Sequence, residues 1–424
     1  MKQFLLFFLL LSFRTTVIGQ SDSIYLALIA KAGLSHLQKN YKNAIFYFGK
    51  AFELKQPDAL NAYKAAGAWS LDSNAGKALY YLELSLKLGW TEADWLSFDP
   101  YFDYLRDSAP GKWKQIEDNA FFKEKQYEQT LRLPVLRKQI NLMTLNDQRL
   151  RYKRIQAANK KERQIINLEI HQSDSLNLAK AKNIFNIYGW PPIADIGKDG
   201  QNNLWLIVQH ADQDVLFQQA VLAAMKKNIG TNKINAENYA FLYDRVQCNL
   251  NYKQYYGTQV RWTHNGEASG FRPIIKEDLV DKRRRQLGLS PLNIYALTYG
   301  FTYKNVTAAQ AKKNDSSDLT DTHILIDSAM YFYRKKSFQK VYDFYNTASV
   351  ILGGMTSAEN YEAAIVFAKI AEQTNEQQYK DIALDFLNLL LVRKELTKSK
   401  LKKQPEFKTL VKEQRWIDVC KQLE

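Results

Sequence analysis

His210 is the residue best suited by type to move a proton. Of five histidines, it alone lies beside carboxamide and carboxylate groups within a motif, Gln209-His210-Ala211-Asp212. Imidazole is also the side chain that titrates near neutral pH. Asp212 or the more distant Asp244 is the candidate to orient it, and Thr258 qualifies as a nucleophile only with a base within hydrogen-bonding reach. Asp147, Arg149, Trp190, Gln209, Arg245, Tyr256, Thr258 and Gln259 would supply the polar and apolar contacts of a ligand site. Each has a plainer structural reading. A histidine that ends an apolar helix often only satisfies a neighbouring carbonyl, and the adjacent Asp244 and Arg245 are the makings of an internal ion pair. Gly189 and Gly257 serve backbone geometry. The spacing His210-x-Asp212-x-Asp214 offers nitrogen and oxygen donors, but there is no HExxH and no cysteine pair, so no metal or other cofactor is expected. Gly197-Lys198-Asp199-Gly200 lacks the spacing of a phosphate loop, and no Gly-x-Ser-x-Gly elbow occurs.

These groups must be carried by helices and one small sheet. Ten Lys or Arg against two acids lie between Arg132 and Arg163, and the run reads as one long basic helix that continues to Tyr188 and stops at Gly189-Trp190-Pro191-Pro192. Asn203 to Val208 is a buried helical run that places Gln209 and His210 at its end. Asp214 and Gln218 share a face with His210 if that helix persists. Asn265-Gly266 reads as a hairpin turn between Val260-Arg261-Trp262 and Phe271-Arg272-Pro273.

At these residues a resemblance becomes specific. GWPP, IVQHAD, YDRV and YYGTQ occur in order, together with Asp147-Gln148 before Arg149 and Arg151, and with VDKRRRQLGL from Val280. The stretch Leu131 to Thr298 resembles a family of bacterial domains of unknown function. The resemblance implies a shared polar site and supplies no reaction.

Both ends of the chain read as helical repeats. Ala27, Ala30, Leu34 and Leu37, then Tyr41, Ala44, Phe48, Ala51 and Phe52, fall at helical spacing on either side of Lys39-Asn40. Asp58 to Leu88 repeats the arrangement, and the small residues at crossing positions resemble tetratricopeptide repeats. Leu82, Leu84, Leu86, Leu96, Pro100, Phe102 and Leu105 recur at a constant offset of 305 as Leu387, Leu389, Leu391, Leu401, Pro405, Phe407 and Leu410, with Trp113 matching Trp416 after a two-residue deletion. The expected fold is therefore mainly α, with tetratricopeptide-like segments at both ends of a central α+β domain that carries a small β hairpin. The divisions are a signal peptide at 1–19, a helical-repeat domain at 20–120, a central domain at 131–298 and a second helical-repeat domain at 320–424. Repeat surfaces of this kind hold a protein or peptide partner, unless they only brace the centre.

Composition narrows the classes. The 424 residues, 46% hydrophobic and 24% charged, can bury a core, and two cysteines exclude a disulfide framework. Lys2 followed by the apolar run Phe4 to Phe13 reads as a cleaved secretory signal, so the mature chain is expected outside the cytoplasm, periplasmic or extracellular. No other apolar run is long enough to span a membrane. The net charge of +15 sits mainly in residues 121–329, with 30 basic and 20 acidic side chains. Export and the lack of a DNA-reading signature exclude nucleic acid as the expected partner. Two functions of different class remain: an exported binding or scaffold protein whose centre recognises a polar ligand, and a hydrolase or other acid/base enzyme centred on His210.

Overall fold

The computed structural model describes residues 20–263 and 265–423. The expected signal peptide at 1–19 and His264 lie outside the described residues. The chain is mainly α-helical, with one two-stranded antiparallel sheet. It divides into two compact units, one comprising residues 20–242, 262–270 and 281–305, the other residues 243–261, 271–280 and 306–423.

The first unit opens with two helical hairpins, α1 (Gln20–Leu37) with α2 (Tyr41–Leu54) and α3 (Ala59–Leu71) with α4 (Ala75–Lys87). Asn40, Asp58 and Asn74 start α2, α3 and α4 by accepting from the backbone N–H three residues on, which satisfies donors that a helix leaves orphaned. Ala44, Ala51, Ala62, Ala65 and Ala66 are fully buried, so small side chains do let the helices approach closely. The group is closed by α5 (Ala93–Phe98), a 3-10 turn at Pro100–Phe102, α6 (Asp103–Ser108) and α7 (Pro110–Glu128). Phe102 and Leu105 are completely buried, and the Phe102 ring stacks on Trp113 with centroids 5.8 Å apart.

Three helices follow that carry the polar residues: α8 (Pro134–Gln156), α9 (Lys160–Tyr188) and α10 (Ile193–Gln209). The expected single basic helix is thus two helices, because Asn159 accepts from Glu162 N–H and starts a new one after the break at Ala157. Nor is the basic run one solvated stripe. Arg137 is fully buried and binds Glu124 at 3.0 Å, Glu128 at 3.1 Å, and Asp199, while Arg151 faces Asp147 and Asp174. The end of α9 is as expected, with Gly189 at φ +65°, a left-handed conformation that a β-carbon would penalise. Next come α11 (Val215–Lys226) and α12 (Ala236–Asn249). The strands β1 (Val260–Trp262) and β2 (Ala268–Phe271) are joined by a loop in which Thr263 N–H donates to Glu267 C=O, so the second strand starts three residues earlier than expected. Short helices α13 (Val280–Gln286) and α14 (Leu292–Leu297) follow, and α14 packs on α1 within the first unit.

The second unit is built on α15 (Ala308–Arg334), α16 (Phe338–Asn346), α17 (Ser357–Thr374) and α18 (Gln377–Val392), then closes with α19 (Lys398–Lys402), a 3-10 turn at Pro405–Thr409 and α20 (Gln414–Gln422). Its core repeats the first closing segment. Phe407 and Leu410 are buried, and Phe407 lies 5.7 Å from Trp416. Helical repeat-like packing therefore occurs in both units. Among the described residues no helix is long and apolar enough to cross a membrane, and neither Cys248 nor Cys420 forms a disulfide.

Candidate functional site

The sequence candidates fall into two clusters of different character, one in each unit. In the first unit, α8, α9 and α10 enclose a pocket whose polar lining comes from Thr144, Asp147, Asp174, Asn177, His210 and Gln213, over an apolar base that includes Leu206 and Ile207. Its free space is about 20 Å³, room for about one water molecule or one small functional group. Asp147 and Arg151 stand four residues apart on α8, the spacing that brings helix side chains together. The Arg151 Nε donates to both Asp147 oxygens at 3.0 and 2.9 Å, and its Nη2 donates to Asp174 Oδ1 at 2.9 Å. Gln148 Nε2 adds a second donor to Asp147 at 2.8 Å. One guanidinium thus serves two carboxylates. Burial holds the Asp174 carboxyl above the ordinary range, and the neighbouring Asp147 charge adds to that effect while Arg151 opposes it.

His210 reaches the same pocket as the C-terminal cap of α10, half-buried, its N–H donating to Leu206 C=O at 3.2 Å. The helix does not persist beyond it. Asp214 accepts from Phe217 N–H and starts α11, and Asp212 is exposed in the turn between the two helices. Gln209 is buried with its Oε1 unpartnered among the described residues, and Trp190 is buried behind the Gly189 turn with its Nε1 likewise unpartnered. Neither lines the pocket. Arg149 is exposed, with its guanidinium 5.1 Å from the centre of the Phe98 ring, so Arg151 rather than Arg149 is the arginine of this site. Sequence reasoning missed Asp174 altogether. It lies on α9, outside the polar motifs, and only the packing of that helix on α8 brings it to Asp147.

The second cluster, in the other unit, is closed. Asp244 is completely buried on α12, and its carboxylate accepts from Tyr255 N–H at 2.8 Å, Tyr256 N–H at 2.9 Å, Thr258 N–H at 2.9 Å and Thr258 Oγ1 at 3.0 Å. Burial pushes this carboxyl upward, against the pull of those donors. Gly257, at φ +70°, lets the backbone curl around the carboxylate. A second side chain completes the clip. Gln254 accepts from Gln259 N–H at 2.8 Å and donates to Gln259 C=O and Arg272 C=O at 2.8 and 2.7 Å. Thr258 therefore does have a carboxylate within reach, but its hydroxyl is spent on it and the residue is buried. The Gln259 amide donates to Thr258 Oγ1 at 3.1 Å, the Tyr256 ring packs against Tyr255 and Tyr243, and Arg245 is half-buried on the same helix. Burial also raises the Cys248 thiol to about 12, which leaves it inert as a nucleophile at neutral pH.

Among the described residues no group of three His, Cys, Asp or Glu side chains is arranged to hold a metal ion. Neither the curated proteins nor the solved structures include a match to the chain. Both clusters fall within the one stretch that a family model matches: residues 134–304 are similar to a family of unknown function, DUF6624.

Proposed function

We propose that the chain is an exported binding protein whose DUF6624 domain recognises a polar ligand through the Asp147–Asp174–His210 pocket, while tetratricopeptide-like repeats at its ends engage a protein or peptide partner. One observation carries the first part: two carboxylates on the wall of a small pocket share a single arginine, so the pocket keeps an unmet demand for a cation or strong hydrogen-bond donor. Its volume limits the inserted group to about the size of an ammonium. His210, which also lines the pocket, supplies a further polar contact. Export rests on the pattern of Lys2 and Phe4 to Phe13 at the N-terminus. The partner-binding role of the ends rests on their paired-helix packing and on the general use of such surfaces.

The test is calorimetric titration of the purified chain with butylammonium and methylguanidinium chloride, with sodium acetate as the control anion. Saturable binding of one cation, weakened at least tenfold in Asp174→Asn, is expected. Equal responses to cation and acetate, or no loss in Asp174→Asn, would refute the pocket. A separate screen addresses catalysis. Hydrolytic turnover present in wild type and absent in His210→Ala would move the assignment from binding to acid/base catalysis.

A further inference from the structure

An open groove of about 410 Å³ runs between α8 and α9, adjoining the pocket at Asn177, which lines both. Its walls carry three exposed carboxamides, Gln139 and Asn146 from α8 and Gln172 from α9. Among the described residues none of the three makes a hydrogen bond through its side chain. Each offers both a donor and an acceptor. Such pairs match a polypeptide backbone, which presents N–H and C=O in alternation along an extended strand. The apolar lining is aliphatic. Leu142, Met143 and Leu176 line the groove, and Leu176 stays 62% exposed, a large apolar surface left to solvent. No aromatic ring is present to stack against a nucleobase.

The ends of the groove differ in charge. Glu169 stands at one end, paired with Lys153 at 3.3 Å, and Lys180 at the other, without an acidic partner among the described residues. Eleven residues of α9 separate them, which at 1.5 Å per residue is about 16 Å. An extended chain covers that distance in about five residues.

We propose that this groove binds an extended peptide of about five residues, its ammonium end at Glu169 and its carboxylate end at Lys180. The proposal goes beyond the cation pocket and does not depend on it. The probe is a mixture of random pentapeptides with free termini, passed over the immobilised chain and read by mass spectrometry of the retained fraction, beside the same mixture acetylated and amidated at its ends. Retention of the free mixture is expected, reduced at least tenfold by L176R, which fills the groove, and by Q172A, which removes a carboxamide without adding bulk. Blocking the termini should lower retention several-fold. Equal retention by wild type and both variants overturns the proposal, as does equal retention of the free and end-blocked mixtures or preferential capture of chitopentaose over peptide. Butylammonium titration of L176R separates the two sites: a pocket that still binds the cation while peptide retention is lost assigns the peptide to the groove alone.

Discussion

Asp244 and the pair Asp147–Asp174 are carboxylates within the same matched stretch, residues 134–304, yet they have been put to opposite uses. Asp244 is completely buried, and three backbone N–H groups and a hydroxyl saturate it, so nothing is left for a ligand. The Asp147–Asp174 pair has one guanidinium between two charges and opens on free space. A carboxylate whose hydrogen-bonding capacity is filled by its own chain acts as a structural clip, whereas one left with spare capacity beside a cavity is available for recognition. Motif residues alone do not separate these cases. The Asp-Arg and Tyr-Gly-Thr-Gln motifs look as functional in sequence as the Gln-His-Ala-Asp motif, and the structure gives the first two to the architecture of a loop.

The comparison is broken or sharpened most strongly by removing the clip. Asp244→Ala leaves the buried N–H groups of Tyr256 and Thr258 without an acceptor, and at about 1–3 kcal/mol for each the second unit should lose on the order of 4 kcal/mol. Chemical denaturation followed by hydrogen exchange of α17 and α18 reads it. A loss below about 1 kcal/mol would place Asp244 outside the structural role.

Phe102→Ala and Phe407→Ala set the scale in each unit. Both rings are buried against a tryptophan and a tyrosine of their own segment, and each truncation should cost about 3 kcal/mol in the unit that carries it. Similar losses measured by local hydrogen exchange would show that the repeated closing segments bear equal loads; an effect in only one unit would show that the repetition is one of sequence without energetic equivalence.

His210→Ala and Asp174→Asn belong at the other extreme. Their melting temperatures should stay within the range expected for less than 1 kcal/mol, since the Asp174 side chain is about one-third exposed where Asp244 is completely buried, while cation binding falls at least tenfold. A loss of stability as large as that of Asp244→Ala would make the two clusters alike and end the distinction.

The smallest effect is a pH dependence. Burial and Asp147 raise the folded-state pKa of Asp174, so its charge disappears at a higher pH than that of a free aspartate, near 3.9. Cation binding should accordingly weaken as pH falls through that raised value, and Asp174→Asn should flatten this part of the profile. The same shift makes the ionised carboxyl slightly unfavourable for folding, so Asp174→Asn should remove a small loss of stability that accompanies rising pH through the same interval. Titration of butylammonium between pH 4 and 8 gives the first, thermal unfolding over that range the second.

What the amino-acid order determined by itself was local or repeated. Helical spacing marked the paired helices at both ends, a glycine marked the end of α9, and the offset between Phe102 and Phe407 announced two equivalent buried rings. The reading of residues 131–298 as one family domain needed only motifs in register, and the matched stretch is 134–304. These features depend on spacing along the chain. Whether the basic run would stay one helix turned on a single capping asparagine at 159, a contest of local preferences that periodicity does not weigh. The site itself was decided by tertiary structure. Asp174 stands 27 positions beyond Asp147 on the next helix, and only the packing of α9 against α8 makes them partners of one arginine. Likewise the curl of Tyr255 to Thr258 around Asp244 consumes groups that the sequence offers as free, because hydrogen-bond capacity is spent in space and leaves no trace in spacing.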